Sequence, residues 1–405
     1  MEVPKSYGLF TDEAVNMKAL KAKAFNFRWA EVPEGVIPLT AADPDFPVAK
    51  EIVQAITDYI QDGYFSYIPH TGLPQFKQSI ATYLNHYKNE FVDPELVLPI
   101  DSAARGMYII AKTVLKPGDE AIIFDPVDYL FRESTLAAGG VPVLYPTKVV
   151  GDRIDLSHIG DYITPNTKMI CLCNPHNPLG MVFPKEDLDA LLILANKHDL
   201  WIMNDEIWSD IVYGERPFTS ILSLGAERNR KTLSVFGFSK SFGIAGLRAG
   251  CLYAHEPEIF KRLLENAEVR TTAGGISSLS QIAGMACLEK SRYWVDAFLE
   301  HLTANRDYGC QRINAMPGVS CRVPQATYLF FVDIKETGFS SEELTNRLRD
   351  EAKLAVVPGT ARFFGPGAEG CIRICFSTSH EILKEGLDRL ENWLKANCHQ
   401  GQYMK

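Results

Sequence analysis

One lysine stands where a strand-like apolar run ends. Lys240 lies between two serines in "SVFGFSKSFGIAGLRAG", residues 234–250, and three glycines and Arg248 follow it. A desolvated lysine amine is a nucleophile toward carbonyl groups, with which it forms a Schiff base. Glycines next to a fork-shaped guanidinium group suit a phosphorylated ligand, although "GIAGLRAG" is not the GxGxxG fingerprint of dinucleotide-binding turns. The stretch predicts a reactive amine beside a phosphate site.

Polar residues also end the neighbouring apolar runs. Asp205 ends "WIMND", and Asn174 and Asn177 follow "MICLC". Because ligands bind outside the carboxyl ends of strands in open parallel sheets, we expect these side chains and Lys240 to share one pocket. A buried aspartate whose charge is offset by a protonated ring nitrogen is what an electron-sink pyridinium needs. Three more candidates close the run "AIIF": Asp125, Asp128 and Tyr129.

The elements that must position these residues alternate in character. Between residues 119 and 255, apolar runs such as "EAIIF", "VPVLY", "KMICLC" and "AGCLYA" are separated by helix-length stretches. This pattern predicts strands buried on both faces of a mainly parallel sheet, hence an α/β domain. Beyond residue 291, the order helix, strand, helix, strand, helix predicts a smaller α+β domain. We place the large domain at 48–290 and the small domain at 1–47 and 291–405.

Composition limits the class of ligand. The net charge of −9 argues against a general nucleic-acid binder. No run of about 18 apolar residues occurs, so no membrane span is expected. Nine cysteines without a CxxC pair, and a start without an apolar signal core, predict a cytoplasmic protein. We therefore expect a small-molecule ligand.

Four motifs in order carry a resemblance to a known family. "NPHNPLG", "NDEIWSDIVY", "SKSFGIAGLRAG" and "CIRICF" resemble those of the fold-type I enzymes that use pyridoxal 5'-phosphate (PLP), in the class I and II aminotransferase group. The resemblance runs from about residue 41 to the terminal helix. It implies a large domain with a mainly parallel seven-stranded sheet between helices, a smaller α+β domain, and PLP as cofactor.

The resemblance assigns roles to five side chains. Lys240 matches the lysine that forms the internal aldimine and shuttles the proton of the substrate. Asp205 matches the aspartate that keeps the pyridine nitrogen protonated, and Asn177 matches the asparagine that binds the ring hydroxyl. Arg248 matches the phosphate-binding arginine. Arg373 matches the arginine that binds the substrate α-carboxylate, a bidentate task for which lysine is a poor substitute.

Further assignments concern the phosphate and the quaternary structure. "FSYIPHTGLPQF" resembles a stretch whose tyrosine, here Tyr67, reaches the phosphate in the neighbouring subunit's site, which implies a homodimer with shared active sites. Ala103 and Ala104 begin a helix whose amide groups would hold the phosphate. The remaining implied contacts are those of Tyr129, Trp208 and Ser239 with the cofactor, and of Ala42 and Asn177 with the substrate.

Some positions depart from the family's pattern. Ser102 replaces a glycine of the phosphate turn, and Asp128 replaces the aromatic residue that stacks on the ring, a place that neighbouring Tyr129 could take instead. Trp208 replaces a tyrosine, and an indole N–H donates but cannot accept a hydrogen bond. Gly237 replaces a phosphate-binding serine, for which one of two nearby hydroxyl groups could compensate: Ser239 or Ser241.

These residues predict an aminotransferase that moves an amino group between an amino acid and a 2-oxo acid. The alternative is a C–S β-lyase, similar to cystathionine β-lyase, that releases a thiol, pyruvate and ammonia. A ligand-sensing module of another class is disfavoured, because only about 45 residues precede the "AADPDF" segment. The substrate side chain is not predicted, and three basic residues could bind a second carboxylate: Arg105, Arg270 and Arg362.

A few other candidates have two interpretations. Cys171 and Cys173 alternate on one strand and could form half of a metal site, but without a matching pair they are interpreted as core residues. His70 and His176 lie in motif loops and either line the pocket or face solvent. Thr272 or Gly275 either contacts the partner's phosphate or simply separates two helices.

Overall fold

The structure is a computed structural model, and it describes residues 8–214, 217–271 and 275–398. The helices are α1 Met17–Lys23, α2 Lys50–Gln61, α3 Pro74–Lys88, α4 Ala103–Val114, α5 Leu130–Ala137, α6 Lys185–Lys197, α7 Ser239–Phe242, α8 Pro257–Asn266, α9 Ser278–Lys290, α10 Arg292–Asn314, α11 Ser341–Glu351 and α12 His380–Asn397. The strands are β1 Ile37–Pro38, β2 Val97–Ile100, β3 Glu120–Asp125, β4 Val141–Pro146, β5 Val149–Val150, β6 Arg153–Ile154, β7 Thr167–Cys173, β8 Trp201–Asp205, β9 Thr232–Gly237, β10 Gly250–Ala254, β11 Ser320–Cys321, β12 Leu329–Asp333, β13 Leu354–Ala355, β14 Val357–Pro358 and β15 Cys371–Cys375.

A seven-stranded sheet has the order β2–β10–β9–β8–β7–β3–β4. Five neighbouring strands, from β9 to β4, run parallel, whereas β10 is antiparallel to both of its neighbours. The predicted α/β fold with a mainly parallel seven-stranded sheet is confirmed. The run "AGCLYA", expected among the parallel strands, forms the antiparallel β10.

The apolar runs form strands because both of their faces are covered. Every residue of β9 and β10 is buried, and so is every residue of β7 except Lys168. Such continuous burial is typical of strands packed between helix layers. The run "VPVLY" differs, because β4 forms an edge of the sheet, and Val141 and Pro146 are exposed.

A second, four-stranded sheet has the order β11–β12–β15–β14, and its paired strands are antiparallel. The N-terminal segment joins this region, because β1 pairs in parallel with β13. Serine hydroxyl groups cap two of its helices: Ser340 accepts from Glu343 N at 3.2 Å, and Ser379 accepts from Ile382 N at 3.3 Å. Each cap satisfies an amide group that lacks an intrahelical partner.

No helix within the described residues is both long and apolar enough to span a bilayer.

Candidate active site

Lys240 follows β9 by three residues and lies on the short helix α7. Its Nζ donates to the backbone oxygen of Ala42 at 2.6 Å and lies 5.7 Å from the ring centre of Trp208. Burial lowers the pKa of Lys240, and the carboxylates of Asp43 and Asp128 only partly oppose this effect. The amine is therefore shifted toward its neutral, nucleophilic form.

Asp205 ends β8, directly beside β9 in the sheet. Its side chain is buried, and Oδ1 accepts a hydrogen bond from Ile207 N at 3.0 Å. Burial raises the pKa of Asp205 to about 7, although the Ile207 amide and the Lys240 charge oppose the rise. Because Oδ2 has no hydrogen-bond partner in the described part of the chain, it can hold a positively charged ring N–H.

A hydrogen-bonded row joins Arg373, Asn177 and Asp128. Arg373 Nη1 donates to Asn177 Oδ1 at 3.3 Å, and Asn177 Nδ2 donates to Asp128 Oδ2 at 2.9 Å. Arg373 Nη2 donates to the backbone oxygen of Thr40 at 3.3 Å, whereas the buried Nε has no partner among the described residues. The guanidinium group is thus held in place with donor capacity left for an anion.

A cavity of about 810 Å³ opens beside this row, and Arg373, Asp128 and Tyr129 lie in its wall. Lys240 and Asp205 do not line it, but Asp128 connects it to them. The Asp128 carboxylate is close enough to change the pKa of both residues. The cavity therefore adjoins the reactive amine at the end where Arg373 would bind a carboxylate.

The start of α4 forms a second part of the site. Ala103 and Ala104 are its first residues, and the capping Ser102 Oγ accepts from Arg105 N at 3.2 Å. Bare backbone approaches this helix start, because a Cβ atom at Gly250 would lie 3.0 Å from Ala103 N. A helix N-terminus reached by uncovered backbone fits a phosphate group.

Two of the residues implied to contact the phosphate are exposed in the single chain. Tyr67 is 96% exposed, and Arg248 is also exposed, with left-handed backbone at a φ of 53°. Ser241 does not compensate for Gly237, because its buried hydroxyl donates to Asp210 Oδ2 at 2.8 Å. Of the two serines, Ser239 stays the residue predicted to replace that contact.

The two aromatic residues implied to contact the cofactor ring differ in burial. Trp208 is buried and meets the ring of Tyr328 edge-on, with 4.7 Å between ring centres. Tyr328 Oη donates to the backbone oxygen of Ala42 at 3.3 Å, the same atom that accepts from Lys240. Tyr129 is exposed at the edge of the cavity. Which of Asp128 and Tyr129 covers a bound ring stays a prediction.

Several sequence candidates have structural roles instead. Asn174 is buried, donates to Thr219 O at 3.1 Å and accepts from Phe183 N at 3.1 Å. Asp125 accepts from the amide of Gly367 at 3.0 Å. Both residues are therefore occupied by backbone groups of neighbouring loops.

The histidine and cysteine candidates also differ in outcome. His176 neither lines the cavity nor faces solvent: it is fully buried, and burial lowers its pKa to about 3. His70 is exposed. Cys171 and Cys173 are buried on β7, and the described residues contain no cluster able to hold a metal ion, so the core interpretation is supported. Thr272 lies outside the described residues, and Gly275 is exposed with a φ of 112°.

One important carboxylate was not identified from the sequence. Asp210 is buried, and Lys88 Nζ and Arg292 Nη1 contact its Oδ1 at 2.6 and 3.3 Å. These two cations outweigh the effect of burial, and the pKa of Asp210 is lowered. Its position within "NDEIWSDIVY", five residues after Asp205, was the available signal.

Comparison with known proteins gives the family. The model of the family described as "Aminotransferase class I and II" matches residues 34–390, and the chain belongs to this family. "Aromatic-amino-acid aminotransferase 2" of Thermococcus litoralis is 31% identical over 91% of this chain and 94% of its own length. "Aspartate aminotransferase" of Pyrococcus horikoshii is 29% identical over 91% of this chain and 93% of its own length. The PLP-bound structure of an aminotransferase from Clostridium difficile 630 is 27% identical in sequence. The match covers 92% of this chain and 97% of that chain, with a TM-score of 0.86.

The predicted function and cofactor are thereby confirmed: the protein is a PLP-dependent aminotransferase. The site fits this cofactor on its own chemistry. It offers a desolvated lysine amine, a buried carboxylate with one free oxygen, and a helix start approached by glycine backbone. These features match an aldehyde carbon, a ring nitrogen and a phosphate group, respectively.

Proposed function

We propose that Lys240, Asp205, Asn177 and Arg373 carry the aminotransferase reaction. The single observation that supports this most is the buried Lys240 amine, whose pKa is lowered, near the buried Asp205 carboxylate: Asp205 ends β8, and Lys240 follows the neighbouring strand β9 by three residues. Bound PLP supplies the electron sink that makes loss of the substrate Cα proton possible. Lys240 takes that proton on Nζ and later returns one, acting as a general base and then a general acid.

The other side chains orient the reactants. Asp205 Oδ2 accepts a hydrogen bond from the protonated ring nitrogen and keeps the proton there. Arg373 binds the α-carboxylate of the substrate, with Ala42 close to the same substrate. Asn177 lies between Arg373 and Asp128, and the one N–H of its Nδ2 that is not donated to Asp128 would donate to the ring hydroxyl group, on the side of the site that also faces the substrate.

We assign the other cofactor contacts as follows. The amide groups of Ala103 and Ala104 hold the phosphate at the start of α4. Four side chains complete the site: Ser239 and Arg248 would contact the phosphate group, and Tyr129 and Trp208 would contact the ring. Trp208 is suited to this place because it is buried and lies 5.7 Å from the amine of Lys240.

We also propose that the active enzyme is a homodimer in which Tyr67 completes the partner's site. Tyr67 is 96% exposed, and Tyr64 and Phe65 beside it are exposed as well. Helix α2 adds exposed Val53 and Ile60. Contiguous exposed apolar side chains of this kind are typical of a surface that another protein covers, and a second copy also brings Tyr67 to a phosphate site.

Two further proposals concern the domain boundaries and the cellular location. We propose the domain boundaries 48–290 for the large domain, and 1–47 with 291–405 for the small one, because α9 ends at Lys290 and α10 begins at Arg292. We propose a cytoplasmic location, which agrees with nine free cysteines, seven of them buried.

The test mixes purified holoenzyme with an amino acid and no 2-oxo acid. Transamination converts the bound cofactor once per site and then stops, whereas the β-lyase alternative releases ammonia over many turnovers. Lys240→Ala should lose both the absorbance band of the enzyme-bound cofactor and the turnover. Lys185→Ala, at an exposed lysine paired with Asp189 at 3.4 Å, is the matched control and should keep both. Wild-type turnover by Lys240→Ala, or sustained ammonia release, would contradict the proposal.

A further inference from the structure

The cavity wall carries a guanidinium group that the proposed reaction does not use. Arg362 lines the cavity together with Arg373, and its side chain has no hydrogen bond or ion pair with the described residues. Of the three arginines that the sequence suggested for a second carboxylate, Arg105 and Arg270 are absent from the wall. The structure therefore selects Arg362.

Two neighbouring phenylalanines support the two guanidinium groups. Arg373 Cζ lies 5.0 Å from the ring centre of Phe364, and Arg362 Cζ lies 5.3 Å from that of Phe363. The two rings are 6.3 Å apart. Because stacking uses the flat face of a guanidinium group, it restricts Arg362 while leaving the N–H donors at its edge available.

The backbone of Phe363 and Phe364 is hydrogen-bonded to the loop that contains Asp128. Phe364 O accepts from Val127 N at 2.9 Å, and Phe363 O accepts from Tyr129 N at 3.0 Å. These contacts lie on either side of Asp128, which is hydrogen-bonded to Asn177. The backbone that follows Arg362 is therefore held at a fixed place relative to the group that would bind the α-carboxylate.

The other two arginines in the wall are already paired. Arg132 contacts Glu133 at 3.0 Å, and Arg349 contacts Asp350 at 2.8 Å. Arg132 also donates to Ala361 O at 3.0 Å, which fixes the residue before Arg362. Opposing charge in the wall comes from three carboxylates: Asp128, which accepts from Asn177 and Leu130 N; Glu133, which is paired; and Glu342, which is exposed.

We propose that Arg362 binds the distal carboxylate of a dicarboxylic amino acid or 2-oxo acid, so that the enzyme acts on acidic substrates. The inference rests on the proposed function, because it takes Arg373 as the group that binds the α-carboxylate. Two guanidinium forks at one cavity match two carboxylates, each able to accept a bidentate pair of hydrogen bonds. Arg362 is exposed, so its guanidinium group is free to meet an incoming carboxylate, whereas an aromatic substrate offers it no charged partner.

The test compares four amino donors, namely aspartate, glutamate, alanine and phenylalanine, in the half-reaction of the holoenzyme. We expect kcat/KM to be highest for a dicarboxylic donor. Arg362→Gln should lower kcat/KM for that donor by about 10- to 100-fold, the effect of losing one charged hydrogen-bonded pair. Alanine should react as it does with the wild type.

Arg153→Gln is the matched control, since it removes an exposed arginine that is paired with Asp187 at 2.5 Å and does not line the cavity, and it should leave all four values unchanged. The inference is overturned if the wild type prefers phenylalanine, if Arg362→Gln keeps its activity with aspartate and glutamate, or if it loses activity equally with every donor. If no donor reacts with the wild type, the proposed function itself fails. If neutral donors react and dicarboxylic donors do not, only this inference fails.

Discussion

Ser241 donates its hydroxyl hydrogen to Asp210 Oδ2 over 2.8 Å, and it is the residue directly after Lys240. Three more donors reach Oδ1 of the same carboxylate: Tyr83 Oη at 3.0 Å, Lys88 Nζ at 2.6 Å and Arg292 Nη1 at 3.3 Å. The short helix α7 is thereby tied to α3 and α10. We expect Asp210 to act on the reaction by positioning Lys240 through Ser241.

Asp210→Asn should destabilise the fold and slow the reaction, because it leaves two cations without their carboxylate. Removing one partner from a buried ion pair costs about 3–5 kcal/mol in the free energy of unfolding, which urea unfolding measures. Asp296→Asn is the control: Asp296 contacts Arg292 at the surface, at 2.8 Å, and such a pair contributes at most about 1 kcal/mol.

The milder Ser241→Ala variant distinguishes an effect on the position of Lys240 from an effect on the stability of the fold. It should lower kcat by about tenfold through displacement of Lys240 while KM changes little. An unchanged kcat in this variant would show that the contact serves stability alone.

Gly237→Ser tests whether the glycine at this position is required by packing. A Cβ atom at Gly237 would lie 3.0 Å from Ile207 Cδ1 and 3.1 Å from its Cγ1. Overpacking of this kind costs about 1–3 kcal/mol. Urea unfolding should show that loss, and adding Ile207→Val, which removes Cδ1, should return part of it. Equal losses in the two Gly237→Ser backgrounds would argue against the clash.

Glu90→Gln should change how stability depends on pH. Glu90 and Glu206 are 2% and 1% exposed, and burial first, then their mutual repulsion, raises the pKa of Glu90 well above its ordinary value. The folded wild type therefore retains protons that the unfolded chain releases, so stability is lost as pH rises above the ordinary glutamate pKa toward the folded one. The variant lacks this loss.

The measurement is the free energy of unfolding at about pH 5 and about pH 8. The advantage of Glu90→Gln over the wild type should grow between these values. Glu95→Gln, at a carboxylate that is 81% exposed, serves as the control and should keep the wild-type slope. A difference that stays constant with pH would contradict the assignment.

Hybrid dimers test the shared site. Lys240→Ala and Tyr67→Ala should each be impaired alone, but a mixed dimer has one site with both native residues and one site with neither. Mixing equal amounts under conditions that exchange subunits should restore about a quarter of wild-type turnover, since half of the dimers are mixed and each has one complete site. If turnover never exceeds the average of the two parents, Tyr67 acts within its own chain.

The mainly parallel sheet, and the position of Asp205 and Lys240 at one edge of it, could be predicted because both follow from local patterns. Asp205 ends an apolar run, and Lys240 follows the next one, so the parallel sheet brings them to one edge. Contacts through backbone atoms could not be predicted in this way. The oxygens of Thr40 and Ala42 carry no signal in residue type, yet they accept from Arg373 and Lys240.

The orientation of His176 and the choice of Arg362 could not be predicted either, because both depend on tertiary contacts. His176 belongs to a motif loop, but its ring packs 6.2 Å from that of Phe124 inside the core, and sequence alone does not show which way a loop residue turns. Arg362 could not be chosen over Arg105 and Arg270, because its place depends on one ring contact, with Phe363, and on the hydrogen bonds of the following backbone to a distant loop.

The contact between Thr40 O and Arg373 Nη2 joins residues that are 333 positions apart in the sequence. Long-range contacts of this kind are slow to form, because the loop-closure entropy of the intervening chain opposes them. During synthesis, the Thr40 carbonyl group therefore cannot meet Arg373 until almost the complete polypeptide has been made. A chain that ends before residue 373 lacks the arginine proposed to bind the substrate α-carboxylate, so we expect it to have no aminotransferase activity.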